Sequence, residues 1–344
     1  MKKIKLAAIN TKYLLRPSET HDENEKNSLE TAYDYINKNI QKSLDWMNEA
    51  GKEKVDLVCT VEDFATMAMN KPAGKINPGL FKEIVVKTSA EIEDKVAVIA
   101  KNHNMLIAAN FYKCDDDKIY NTTSLFGRDG KIIGKYRKVH LPIGERWVAS
   151  PGSEYPVFET DIGRIGFSIC YDIAFPEVFR CLALNGADII VHQTVGWAMT
   201  GKSNENTIVG EAFMRVRAAE NFVYLVVSKH IGIEGEKSLI VDNGGNIVAE
   251  SSELAESLVT AEIEPNYDMT DKYYLNNYFA DLTSTRALMM LERMPETYNL
   301  IMEKSPPVMN RYTGMELCSE PAKYERIMSG LGEMTREEYA KYHW

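Results

Sequence analysis

An α/β fold with a partly antiparallel sheet is predicted by three features of the chain. Short β-branched runs alternate with helical stretches from Lys3 to Glu264. Two segments, Tyr120–Tyr136 and Lys237–Val248, read as hairpin pairs. With 344 residues and 44% hydrophobic content, the chain can bury a full core.

Taken in order, Ile4–Asn10 reads as the first strand and Glu25–Asn48 as a helix. The strand Val55–Val61 follows, then a helix over Lys82–His103 and a strand over Met105–Tyr112. Beyond the first hairpin, Ile162–Cys170 is a strand on which Ile165, Phe167 and Ile169 share one face and Gly166, Ser168 and Cys170 the other. Pro176 suits the first helical position, Glu177 the first turn, and Gly186 the stop, so Pro176–Asn185 is a helix. Asp188–His192 and Phe222–Ser228 are strands flanking a helix at Asn206–Asn221. After Pro265 the composition turns rich in Tyr and Met, with 9 of the 18 tyrosines. The expected organisation is a catalytic domain over 1–264 and an extension over 265–344, whose tyrosines and methionines suit a subunit interface.

Composition narrows the function. With 50 acidic against 40 basic side chains, the net charge of -10 repels phosphate backbones and anionic bilayers, so neither nucleic acid nor membrane is an expected partner. No stretch is apolar for long enough to span a bilayer. Five scattered cysteines without CxxC spacing imply a reducing compartment, here the cytoplasm. Six dispersed histidines and no HExxH give no metal signature, and no cofactor is expected.

Cys170 ends its strand directly before a helix start, the strand–turn–helix elbow that exposes a thiol and offers the Tyr171 N–H as an oxyanion donor. A free thiol titrates near about 8.5 and needs a base or a cation beside it. Glu62 and Lys138 each stand at a strand end, where the sites of α/β proteins collect. Singly, each would be read as a solvated surface charge; a nucleophile, an acid and a base at three strand ends are more telling together.

These segments resemble the nitrilase superfamily of carbon–nitrogen hydrolases, whose Glu–Lys–Cys triad lies in three separated motifs. Asp56–Glu62 is similar to the glutamate motif, with Val61 where proline is usual. Gly134–Pro142 resembles the lysine motif and Gly166–Glu177 the cysteine motif. The likeness runs over roughly residues 3 to 264 and includes Gly186–Ile190 and Arg217–Asn221. It implies an αββα four-layer sandwich with catalytic Glu62, Lys138 and Cys170, and a supporting glutamate matched by Glu145. Cys170-Tyr171-Asp172 is closer to the amidase and carbamoylase branches than to nitrilases, and the segment His192–Trp197 resembles a substrate-pocket loop, which suggests Trp197 as a pocket residue. The implied reaction is hydrolysis of a small-molecule amide or carbamoyl group through a thioester, by a homodimer or larger homo-oligomer.

Three other readings compete. Gly196–Ser203 fits a P-loop pattern with Lys202, and Leu239–Asp242 would serve as its magnesium-binding strand. Gly166–Cys170 nearly spells a serine-hydrolase elbow. A catalytically silent scaffold of the same fold is the third.

Overall fold

The computed structural model describes residues 3–14, 29–67, 78–142, 145–196, 207–231, 237–252, 255–269, 284–303 and 306–308. Two units are present, Met1–Tyr267 and Asp268–His343, apart from the terminal Trp344.

In the first unit, β1 (Ile4–Asn10), α1 (Leu29–Lys52), β2 (Leu57–Cys59) and α2 (Pro78–His103) lead into β3 (Leu106–Asp115), β4 (Lys118–Phe126) and β5 (Ile132–Arg137). The second half runs through β6 (Val157–Thr160), β7 (Gly163–Ile169), α3 (Pro176–Leu184), β8 (Ile189–Thr194), α4 (Thr207–Asn221) and β9 (Tyr224–Lys229). It closes with β10 (Leu239–Val241), β11 (Ile247–Glu250) and β12 (Ser257–Ile263). These strands form two six-stranded mixed sheets, ordered β12-β1-β2-β3-β4-β5 and β11-β10-β9-β8-β7-β6.

The layers follow from the alternation of side chains along each strand. Leu6 and Ala8 of β1 point between the sheets, with Leu57 and Leu106, against Ile165, Phe167, Ile189 and Val226 of the second sheet. Ala7 and Ile9 point outward, where Ile36 and Ile40 of α1 and Ile92 and Val96 of α2 cover them. Strands covered on both faces read as continuous apolar runs, which is why β8 and β9 are buried along their whole lengths. On β7, Gly166 is small because α3 crosses it: a Cβ there would come within 2.9 Å of the Leu182 side chain. The architecture is the αββα sandwich that the resemblance implied.

Element boundaries moved where tertiary pairing overrides propensity. The strand expected over Val55–Val61 shrinks to Leu57–Cys59, because its ladder rungs are the three shared with β1 and β3. Conversely β8 runs on to Thr194, since β9 pairs with it as far as Lys229. The edge strands β6 and β12, unread from sequence, are only partly buried along their lengths and owe their order to pairing with β7 and β1. No helix among the described residues is long and apolar enough to cross a membrane.

In the second unit, α5 (Thr285–Leu291) starts at Ser284, whose hydroxyl accepts the Ala287 N–H at 3.0 Å, and α6 (Asn299–Met302) follows a turn at Pro295–Thr297. Ser284 is thus an ordinary N-cap.

Candidate active site

The carboxyl ends of β2, β5 and β7 converge on one buried cluster. Its centre is Lys138, just past β5 and 1% exposed, with its ammonium 2.8 Å from Glu62 Oε1 and 2.6 Å from Glu145 Oε2. Glu145 opens a short 3-10 turn, Glu145–Trp147, held by the Pro142 carbonyl, which accepts the Glu145 N–H. Glu62 lies three residues past β2 and is followed by Asp63, whose left-handed φ of 44° turns the chain sharply. Asn110 secures that turn by accepting the Asp63 N–H at 2.6 Å.

Asn121 on β4 ties both carboxylates together, its amide donating to Glu62 Oε1 at 2.9 Å and Glu145 Oε1 at 2.7 Å. Its own carbonyl oxygen accepts from the Asn110 amide at 3.0 Å. Tyr112 donates to Glu145 Oε1 at 2.9 Å, and the Val195 N–H donates to Glu62 Oε2 at 3.0 Å. Of about four acceptor positions on the Glu62 carboxylate, three are therefore filled by Lys138, Asn121 and Val195.

Cys170 follows β7 as the first residue of a 3-10 turn, Cys170–Ala174, and has a left-handed φ of 46°. Left-handed backbone at a non-glycine residue costs about 1–3 kcal/mol and marks a position that its surroundings over-determine. Burial, then the Glu62 carboxylate, pushes the thiol up to about 12, against the pull of the Lys138 ammonium and a hydrogen bond with Thr194. Burial would lower Lys138, but the charges of Glu145 and Glu62 outweigh it and hold the amine well above its ordinary value. The resting site at neutral pH is thus a protonated thiol beside an ammonium, with two carboxylates paired to that ammonium.

The structure brings Glu62, Lys138, Glu145 and Cys170 together. Tyr171 stands next in the turn, its ring edge-on to Phe175 at 5.4 Å. Trp197 and Lys202 lie outside the described residues. Asp242, the magnesium ligand of the P-loop reading, instead closes the β10–β11 turn by accepting the Gly244 and Asn246 N–H groups at 2.8 and 2.9 Å. Sequence reasoning passed over Asn110, Tyr112 and Asn121. The signal available was the polar run Asn121-Thr-Thr-Ser124, fully buried in the middle of β4, where propensity favours apolar residues.

Behind the turn, His192 on β8 is fully buried with Nδ1 2.7 Å from Ser168 Oγ, and burial lowers its imidazole to about 4. The unfolded chain titrates near about 6.5. Between these values the unfolded state binds a proton that the folded state refuses, so stability is full above pH 6.5 and falls as pH drops towards 4. His230, lowered to about 4 by burial, acts in the same direction. The His192 share is about 3 kcal/mol. Urea midpoints measured from pH 7 to 4.5 should fall, and His192→Gln should flatten that fall; an unchanged slope would remove His192 from the account.

Comparison with known proteins matches residues 31–269 to the carbon–nitrogen hydrolase family. The chain is 32% identical over 250 residues to an omega-amidase of Saccharomyces cerevisiae, covering 66% of this chain and 81% of that protein. It is 28% identical over 224 residues to a citrullinase of Francisella tularensis (60% and 73% covered). It is 32% identical over 235 residues to a nitrilase of Pyrococcus abyssi (66% and 84%). Among solved structures, Saccharomyces cerevisiae Nit3, of branch 10 of the nitrilase superfamily, aligns with a TM-score of 0.58 at 26% identity, covering 76% of this chain and 90% of that one. A carbon–nitrogen hydrolase from Helicobacter pylori G27 aligns at 0.66 and 20% identity, over 88% and 99%, and shares the fold.

Proposed function

Because the chain belongs to the carbon–nitrogen hydrolase family, as an amidase-like enzyme of the nitrilase superfamily, we propose that it hydrolyses an amide or carbamoyl group of a small molecule through a thioester on Cys170. The observation that carries this reading is the left-handed cysteine turn set against a lysine held between two buried carboxylates.

The mechanism follows from the charges. With the thiol at about 12, free thiolate is scarce at neutral pH. The proton therefore leaves sulfur as the S–C bond forms, taken by Glu62 acting as general base. Charge growing on the substrate oxygen is met by the Lys138 ammonium and the Tyr171 N–H. The C–N bond breaks as Glu62 returns the proton to the leaving nitrogen, releasing ammonia or an amine. Glu62, again a carboxylate, then deprotonates a water that attacks the thioester, and the thiol leaves with that proton. Glu145, Asn121 and Tyr112 hold Lys138 and Glu62 in register through these steps. Trp197 is proposed as a pocket residue on its sequence resemblance.

Ammonia release from a panel of small amides, carbamoyl amines and nitriles tests the reading. Amides or carbamoyl compounds should turn over, and nitriles at least about ten times more slowly, one tenfold step being about 1.4 kcal/mol of barrier. The omega-amidase and citrullinase relatives support that order. Faster nitrile turnover would shift the enzyme to the branch named by the nitrilase relative, and inertness towards all three would favour the silent scaffold.

Cys59, Cys114 and Cys170 are free thiols, which supports a reducing, cytoplasmic setting. We also propose a homodimer or larger homo-oligomer in which residues 265–344 contribute contacts. Exposure of Leu291 (81%), Leu300 (63%) and Met302 (84%) in the second unit supports this. Light scattering at micromolar concentration should return at least twice the 39.0 kDa chain mass; a monomer would refute it.

A further inference from the structure

Asp172, two residues after Cys170, is fully buried yet belongs to neither the triad nor its supporting carboxylates. Four donors converge on it. Oδ2 accepts the Ile169 N–H at 2.9 Å and the Tyr136 hydroxyl at 2.6 Å. Oδ1 accepts the His140 backbone N–H at 2.9 Å and lies 3.0 Å from His140 Nδ1. With His140 protonated at Nδ1, all of about four acceptor positions of the carboxylate are used.

The identity of the donors is the point. Ile169 immediately precedes the thiol, while Tyr136 and His140 stand two residues before and two after Lys138. The first belongs to one sheet and the other two to the strand end of the opposite sheet. A second contact reinforces the link: the His140 ring stacks on Phe175, the residue that leads into α3, at 3.7 Å and 13°. We propose that Asp172 is a positioning residue, a buried clasp that locks the Cys170 turn to the Lys138 strand across the sandwich. The proposal rests on the assignment of Cys170 and Lys138 to catalysis made above.

Two physical arguments support it. A left-handed cysteine persists only where the surroundings over-determine it, and Asp172 fixes the residue just before that position. Nucleophile and oxyanion donor also come from different sheets, and a misplacement of about 1 Å between them costs about 100-fold in rate. A carboxylate suits the clasp because every partner donates; an asparagine would turn its NH2 group towards donors.

The test uses the full-length enzyme with Asp172→Asn, Tyr136→Phe and the double variant. Readouts are kcat and KM on the best substrate of the panel, and hydrogen exchange of peptides covering 136–142 and 164–175. For Asp172→Asn, kcat should fall at least about 100-fold with KM within about threefold. The Ile169 and His140 amides should both exchange at least about tenfold faster. Tyr136→Phe alone should lower kcat about tenfold, and add nothing in the Asp172→Asn background, because both act through one network. Near-normal kcat in Asp172→Asn overturns the clasp, as does faster exchange confined to 164–175, which would leave a local turn cap. If Asp172→Asn does not fold, Tyr136→Phe decides: wild-type kcat together with wild-type exchange at 164–175 overturns the proposal. If the wild type itself turns over nothing in the panel, the reading of the site as catalytic fails, and exchange in the two segments still decides the clasp.

Discussion

Replacing Cys170 with alanine should reduce turnover to background while leaving the fold intact. The side chain contributes one sulfur atom at a half-buried position, so its loss opens little space in the core. The turn that carries it is held by groups other than the thiol, among them Asp172 through Ile169. Chemistry, however, loses the thiol that forms the thioester. A loss of at least about 1,000-fold in kcat is expected, in line with removal of a nucleophile from a covalent mechanism. Cys170→Ser should be nearly as inactive, because the carboxylate of Glu62 must then deprotonate a far less acidic hydroxyl. Intact-mass measurement during turnover of a slow substrate should show one acyl adduct, mapping to Cys170. Cys59 offers an internal control: it is fully buried in β2, and burial holds its thiol far above the ordinary range. Turnover by the alanine variant, or an adduct on another cysteine, would end the assignment.

Lys138→Met should be the second most damaging change, and for two separable reasons. Activity should drop at least about 100-fold because the oxyanion loses its cation. Stability should also fall, by about 3–5 kcal/mol, because Glu62 and Glu145 are left buried beside each other with Asn121 as their shared donor. The two carboxylates then favour taking up a proton. The stability deficit should therefore be smaller at pH 5 than at pH 8, the reverse of the dependence produced by His192. Glu62→Gln should match the loss in kcat, since an amide cannot shuttle the thiol proton and would present its NH2 group to the donors around it. Urea titration at the two pH values, with kcat corrected for the folded fraction, reads both effects. Near-normal turnover in Lys138→Met would make Lys138 a structural cation only.

Much of the candidate site's frame was legible because it is written locally. The side-chain period of two on β7 separates the Ile165, Phe167 and Ile169 face from the Gly166, Ser168 and Cys170 face, and Pro176 and Glu177 mark the helix start that makes the elbow. The same local logic put Glu62 and Lys138 at strand ends. Strand lengths were less legible, because β2 has the length its neighbours pair with and the edge strands β6 and β12 are ordered by partners distant in the chain. Cys170-Tyr171-Asp172 was read as a mark of branch, and the structure adds four hydrogen-bond donors around its aspartate.

By itself, then, the sequence determined the alternation of strands and helices and which chemical groups stand at the strand ends, because backbone periodicity and turn chemistry depend on residues within a few positions of one another. Only the tertiary structure decided what those groups are to each other. The Glu62 carboxylate receives hydrogen bonds from Asn121, Lys138 and Val195, which lie 59, 76 and 133 residues away. Whether the Cys170 thiol is protonated and whether Lys138 is charged depend on burial and on carboxylates brought in from such distances. Burial and Coulomb forces act through space, so no local pattern along the chain encodes them.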